Sequence, residues 1–164
     1  MLESSWLMIG PWLPPTQGRR RCWHRLLRDA STDLDAGFAL WQPGIALSWL
    51  HFLWPAVLSV HEAEDEPLVF TARRSWAPLP RWEIQDADGR NVGVVRKRWL
   101  VDSRGRPVAY IDREGKGEVT HFRGSDAQDL AMFIDKRERE LHFSENSGES
   151  PFTKMLVLAA ALTI

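Results

Sequence analysis

A β-hairpin pattern that recurs along the chain limits the fold more than any other feature of the sequence. Asp86 and Gly89 lie three positions apart between apolar runs, and Asp102 and Gly105 repeat that spacing sixteen residues later. An Asp followed three residues later by a Gly suits a type I turn that closes with a left-handed residue and a bulge. These four residues are therefore predicted to form the turns of two hairpins.

An earlier copy of the pattern covers residues 60–70, where Asp65 takes the place of the Gly. Asp accepts the left-handed region less readily than Gly, so a looser turn is expected there. Short β-like runs continue on both sides of the repeat, with the even spacing that is typical of an all-β sandwich or barrel. The twelve predicted strands are 6–9, 23–28, 38–41, 57–61, 68–73, 81–85, 92–96, 99–102, 108–112, 119–123, 132–135 and 140–143.

The last segment of the chain predicts a helix that is apolar on every side. Ser150 and Pro151 suit the start of a helix, and strong helix formers follow, with Lys154 as the lone charge. A helix without a polar face must be enclosed by protein or lipid. We therefore predict a mainly β protein, a closed antiparallel barrel of about twelve strands around this helix. The helix residues expected in the core are Met155, Leu156, Leu158, Ala159 and Leu162.

Length, charge and cysteine content narrow the class of protein. A chain of 164 residues predicts a single domain over residues 1–164, with residues 1–18 as a loosely attached N-terminal segment. A net charge of −1 gives no general attraction to nucleic acid, so no nucleic-acid partner is expected. The single cysteine, Cys22, excludes an intrachain disulfide and favours a reducing, cytoplasmic location.

The apolar stretches of the chain predict no transmembrane span. Residues 45–58 and 155–164 are both shorter than the roughly twenty residues that cross a bilayer. The first fifteen residues lack the basic region that opens a secretory signal. We expect a cytoplasmic protein that associates with a membrane only peripherally.

The hairpins and the final helix together resemble the tubby C-terminal-like superfamily, which includes phospholipid scramblases and LURP-one-related proteins. The resemblance rests on residues 83–93, 101–109 and 152–162, and it extends as a pattern over residues 19–164. It implies a twelve-stranded barrel threaded by a hydrophobic helix, and tubby-like members bind phosphoinositide head groups through basic residues on the barrel. The cysteine cluster and acidic calcium segment of the scramblases have no counterpart here, so scrambling and calcium control are not carried over.

Basic clusters at matching places in the repeat are the main candidates for a binding site. Arg73 and Arg74 end one predicted hairpin, and Arg96, Lys97 and Arg98 end the next. Equivalent positions in consecutive hairpins would bring both clusters to one rim, where charge-assisted hydrogen bonds would hold phosphate or phospholipid head groups. The alternative is that these residues are solvated strand ends that discourage edge pairing.

The sequence gives weaker signals for metal binding and catalysis. Asp86-x-Asp88-Gly89 lacks the Gly and Glu positions of an EF-hand loop, and no Gly-rich phosphate loop follows any predicted strand. Neither a metal nor a cofactor is therefore expected. His121 and His142 are the candidates for catalysis, which would need a concave pocket around them.

Three hypotheses for function follow from these candidates. The first is a non-enzymatic module that binds an anionic phospholipid or phosphoinositide head group, or a protein partner, through the basic strand ends. The second is a structural or regulatory interaction domain without a small ligand. The third is a small hydrolase or transferase that uses the region of His121 and His142.

Overall fold

A computed structural model describes residues 2–15, 22–43, 55–62, 67–75, 81–115, 117–144 and 150–163. The elements are β1 (Trp6–Ile9), β2 (Trp23–Asp29), β3 (Leu34–Pro43), β4 (Ala56–Glu62), β5 (Leu68–Arg74), β6 (Trp82–Asp86), β7 (Asn91–Val95), β8 (Trp99–Asp102), β9 (Pro107–Glu114), β10 (Val119–Gly124), β11 (Asp129–Asp135), β12 (Arg139–Phe143) and α1 (Pro151–Thr163). The strands form one antiparallel closed barrel in sequence order, and β1 pairs with β12 to close it. The predicted fold class is confirmed.

All twelve predicted strands are present, and β1 and β8 have the predicted bounds. The largest differences lie in β3, which begins at Leu34 rather than at residue 38, and in β11, which begins at Asp129 rather than at residue 132. In both strands the register shifts by one residue close to this start, at Ala36 and at Leu130. A bulge interrupts the alternation of inward and outward residues, so the period-two pattern becomes readable only after it.

Each of the five hairpins that turn at the same end of the barrel has a one-residue bulge in its second strand. Each bulged residue is apolar and is part of the core or packs against it. Bulges bend and twist a strand, as the rim of a barrel requires. The hairpin unit is therefore repeated five times rather than three. The bulged residues are Ala36, Val69, Val92, Val108 and Leu130.

The Asp and Gly residues of the repeat have turn geometry. Gly89 has a φ of 77° and donates its N–H to the carbonyl of Asp86 at 3.0 Å. The carboxylate of Asp86 accepts the N–H groups of Asp88 and Arg90 at 3.0 and 2.8 Å. Asp102 and Gly105 repeat the same bonds in the next hairpin, where Gly105 has a φ of 81°. The turn of the earlier copy, around Asp65, lies outside the described residues.

The turn between β10 and β11 has the same backbone bonds with an alanine in the glycine position. Ala127 donates its N–H to the carbonyl of Gly124 at 3.0 Å, and Gly124 donates to Gln128 at 2.8 Å. Ala127 has a φ of 62°, in the left-handed region where a Cβ costs about 1–2 kcal/mol. This hairpin therefore closes at the cost of local strain.

The C-terminal helix α1 fills the interior of the barrel. Lys154 and every residue from Met155 to Leu162 are buried, including the five that the sequence places in the core. The Lys154 amine is accommodated because its Nζ donates to the carbonyl of Leu2 at 2.7 Å and lies 5.4 Å from the ring centroid of Phe143. No helix in the described part of the chain is long and apolar enough to cross a bilayer.

The N-terminal segment is part of the barrel, and the expectation of loose attachment is wrong for residues 2–15. β1 pairs with β12 on one side and with β2 on the other, so its removal would leave two unpaired sheet edges. Beyond β1, Leu13 exchanges two backbone hydrogen bonds with His24, at 2.8 and 3.1 Å. Residues 16–18 lie outside the described part of the chain.

Shortening one helix residue should test whether enclosure of α1 holds the barrel together. Leu158 is fully buried, so Leu158→Ala is expected to lower the free energy of unfolding by about 2–5 kcal/mol, through lost burial and the cavity that remains. Leu34→Ala removes the same atoms at a side chain that is 67% exposed and should change stability by less than about 0.5 kcal/mol. Denaturant unfolding measures both, and equal effects would contradict the enclosed-helix fold.

A reciprocal pair of substitutions should test the strain at Ala127. Ala127→Gly is expected to raise the free energy of unfolding by about 0.5–1 kcal/mol, because the gain in the left-handed turn exceeds the added freedom of the unfolded chain. Gly89→Ala should lower it by a similar amount, although nothing lies within 4 Å of the added Cβ. Thermal unfolding would show these as shifts of about 2–4 °C per kcal/mol in opposite directions. Shifts of the same sign would show that the two turns are not equivalent.

Candidate functional site

The two ends of the barrel carry opposite charge, which a net charge of −1 conceals. The end at which the odd-numbered strands finish is called the basic end, and the other, where α1 begins, the acidic end. Among described connections and strand termini, the basic end has the cations Arg74, Arg81, Arg96, Lys97, Arg98, Lys136, Arg137 and Arg139 and the anions Glu114, Glu118, Asp135 and Glu138. The acidic end has the anions Glu3, Asp29, Asp33, Glu62, Asp86, Asp88, Asp102, Asp126 and Asp129 and the cations Arg90, Arg104 and Arg106.

Both basic clusters of the hairpin repeat lie at the basic end. We call the five residues the rim cations: Arg73, Arg74, Arg96, Lys97 and Arg98. The first two end β5, the other three form the turn between β7 and β8, and only β6 lies between the two clusters. Strands lie about 4.8 Å apart, so the backbones of the clusters are separated by about 10 Å. One anionic surface can therefore contact both.

The rim cations have no ion-pair partner among the residues that the structure describes, unlike most arginines elsewhere in the barrel. Arg106 lies 2.8 Å from Asp102. Arg123 lies 2.8 Å from Asp112. Four of the five rim cations are exposed, and Arg74 is half-buried. Their charges are consequently available to a ligand.

Exposed aromatic and aliphatic side chains lie beside these charges. Trp99 directly follows Arg98, is 46% exposed, and packs against Tyr110 with ring centroids 5.0 Å apart. Trp23 and Leu13, which are 37% and 40% exposed, lie at the same end. Trp rings combined with Lys or Arg are typical of surfaces that contact the polar region of a bilayer.

The sequence did not indicate a second feature of the basic end, a cleft of about 750 Å³ between β1, β2 and the turn from β11 to β12. Its apolar wall includes Met8, Pro11 and Trp12. Its charged wall consists of five cations and one acid, which are Arg25, Arg28, Lys136, Arg137, Arg139 and Glu138.

Arg25 is the unusual member of this cleft, because its side chain is only 2% exposed. The guanidinium carbon lies 4.4 Å from the ring centroid of Trp12, and the Nε–H group has no hydrogen-bond acceptor in the described part of the chain. Burial, together with the charge of Arg139, lowers the pKa of Arg25 to about 10, while the charge of Asp135 acts in the opposite direction. Arg25 therefore remains cationic at neutral pH inside the barrel wall.

The alternation of inward and outward residues along β2 indicates that Arg25 faces inward. Residues two apart in a strand face the same side, and Arg25 lies two positions before the fully buried Leu27. An inward Leu27 requires an inward Arg25. A charged residue at an inward position is rare unless it has a partner or a function.

The structure does not bring His121 and His142 into a site. His121 on β10 and His142 on β12 both pair with Met132 of β11, the strand between them. The two histidines therefore lie two strand spacings apart, about 10 Å, on the outer face of the barrel. His121 lies 3.3 Å from Asp129, and His142 lies 2.8 Å from Glu140. Each histidine thus has its own carboxylate partner, and neither lines the cleft.

The acidic turns do not form a metal site either. Asp86 and Asp102 direct carboxylate oxygens to N–H groups of their own turns. Among the described residues, no group of three or more His, Cys, Asp or Glu side chains converges as metal ligands would.

Comparison with known proteins gives no match for this chain: no protein family model, no curated protein and no solved structure matches it. The resemblance to the tubby C-terminal-like superfamily therefore stays a prediction. What the chain does has to be inferred from its own charges, cleft and exposed rings.

Proposed function

We propose that this protein is a non-enzymatic, tubby-like binding module that binds anionic phospholipid head groups at its basic end. The observation that carries the proposal is the group of five rim cations, which lie at one end of the barrel and have no ion-pair partner among the described residues. Unpaired like charges repel one another and oppose folding. An anionic surface in contact with this end would relieve the repulsion.

The acidic end supports the proposal because it gives the barrel a direction. A negatively charged surface attracts the basic end and repels the acidic end, so one orientation is favoured. Attraction of this kind acts within a Debye length, about 8 Å at physiological salt. The rim cations would be held within that distance of the membrane while the acidic end faces water.

Trp99 adds a contact that charge alone does not provide. The indole is 46% exposed and adjoins Arg98, so it would reach the head-group region when the rim cations approach the surface. An amphipathic ring is favourable there because it has an apolar body and a polar N–H.

The tubby-like part of the proposal is supported by the architecture. A twelve-stranded barrel around a buried C-terminal helix is the fold that the resemblance implies. A hydrolase or transferase at His121 and His142 has no support in the geometry, because the two side chains lie apart on the outer face. If the protein does not bind membranes, the remaining alternative is an interaction domain that binds a protein partner.

Vesicle flotation with matched charge variants tests the proposal. The protein should float with vesicles that contain anionic phospholipid, but not with neutral vesicles, and added salt should weaken the association. Arg96→Ala, Lys97→Ala and Arg98→Ala together should weaken binding about a hundredfold, since each cation near an anionic surface contributes about 1 kcal/mol. Adding Arg73→Ala and Arg74→Ala should weaken it further.

The control is the triple variant Arg90→Ala, Arg104→Ala and Arg106→Ala, which changes the net charge equally at the acidic end. It should float like the unmodified protein. Equal loss in both triple variants would show a general charge effect, and undiminished flotation of the rim variant would refute the basic-end proposal. Thermal unfolding of the rim variant should be unchanged or occur at a higher temperature, because no described ion pair is lost.

A further inference from the structure

Arg25 lacks part of the compensation that a buried cation normally needs. Removing a charge from water is costly unless an opposite charge or hydrogen bonds replace the lost solvation. No carboxylate among the described residues lies within ion-pair distance of Arg25, and its Nε–H is unpaired. The face of Trp12, 4.4 Å from the guanidinium carbon, provides a cation–π contact but accepts no conventional hydrogen bond.

A second unpaired donor belongs to Trp41, whose ring lies beside that of Trp12. The Nε1–H of Trp41 is buried and has no acceptor among the described residues, and the ring centroid of Trp41 lies 5.9 Å from that of Trp12. Arg25 pairs with Ala39 on the neighbouring strand β3, and Trp41, two positions after Ala39, lies on the same inward face. Buried unpaired donors are rare in folded proteins, so two around one ring favour the binding of a ligand that carries hydrogen-bond acceptors.

The remaining charges of the cleft also favour an anion. Arg139 is held by Asp135 at 2.6 Å, and Arg28 by Asp35 at 3.1 Å. Three cations of the cleft wall remain without an ion pair in the described structure, which are Arg25, Lys136 and Arg137. Glu138 is the one acid in the wall. A ligand with two negative charges would therefore be attracted to this cleft.

We propose that the cleft beside Arg25 binds an organic phosphate monoester. The phosphate, which carries close to two negative charges at neutral pH, accepts hydrogen bonds from Arg25 and from the turn cations Lys136 and Arg137. A cleft of about 750 Å³ is larger than a phosphate needs, and its wall at Met8, Pro11 and Trp12 suits an apolar or aromatic organic part. The ester can be a soluble metabolite-sized molecule or the head group of a phospholipid.

This site is separate from the rim cations, none of which lines the cleft. Binding of a soluble ester does not depend on membrane association. The two proposals can therefore fail independently, although both sites lie at the basic end.

Calorimetric titration of the full chain with phenyl phosphate tests the cleft. The ester should bind, and benzyl alcohol, which lacks the phosphate, should not. Arg25→Gln should weaken binding at least about tenfold, because a charge-assisted hydrogen bond is lost. Lys136→Ala with Arg137→Ala should also weaken it at least about tenfold, and this exposed-turn variant decides the outcome if Arg25→Gln does not fold. Arg96→Ala, Lys97→Ala and Arg98→Ala together should bind phenyl phosphate like the unmodified protein.

A second arm distinguishes the two sources of the phosphate. Vesicles that contain phosphatidic acid present a monoester, whereas phosphatidylglycerol vesicles of equal charge present only a diester. If the protein prefers phosphatidic acid and Arg25→Gln or the turn variant abolishes this preference, the site binds a lipid head group. If only phenyl phosphate binds, the site binds a soluble ester. The proposal is overturned if neither monoester binds, or if binding is unchanged in the Arg25 and turn variants.

Discussion

The structure depends on the enclosure of one helix that has no polar face. Outside the barrel, α1 would expose apolar side chains in every direction. The interior of a twelve-stranded barrel is also too wide for inward side chains alone to fill, because about eight strands is the largest number that side chains can fill. The helix and barrel therefore stabilise each other. The bulged residues, from Ala36 to Leu130, add apolar contacts at the end where α1 begins. The amine of Lys154 reaches the backbone at Leu2, so the one charge in the helix also finds a partner there.

The charge at the two ends of the barrel has different physical origins. At the acidic end, Asp86 and Asp102 are required by the turns, because their carboxylates accept backbone N–H groups that would otherwise be unpaired. Asp29 has a similar role with Ser31 and Ser4, and these hydrogen bonds lower its pKa to about 2. The rim cations make no such bonds within the described structure. The turns therefore account for the negative charge of the acidic end, whereas no contact within the described structure accounts for the rim cations at the basic end.

Local patterns allowed most of the fold to be predicted, but only part of the candidate site. Alternation and turn residues placed twelve strands, and the apolar run placed α1, because both signals are contained within a few consecutive residues. The starts of β3 and β11 were missed because bulges at Ala36 and Leu130 break the alternation. The cleft was missed for another reason. Arg25 and Lys136 lie far apart in sequence and meet only because β1 joins β12, a closure that no local pattern specifies.

The two parts of the basic end differ in how their electrostatic interactions respond to the surroundings. The rim cations are mostly exposed, so their attraction to a surface acts over a Debye length and decreases with salt. Arg25 is almost wholly buried, where the effective dielectric constant is lower and salt screens little. Under the proposed function, the long-range attraction would orient the barrel without selecting among anions. The buried donor would discriminate by geometry, because an acceptor must enter the cleft to reach it. A phosphate monoester at a membrane surface would both attract the rim cations and enter the cleft to accept a hydrogen bond from Arg25. A diester of equal charge that stays outside the cleft would only attract the rim cations.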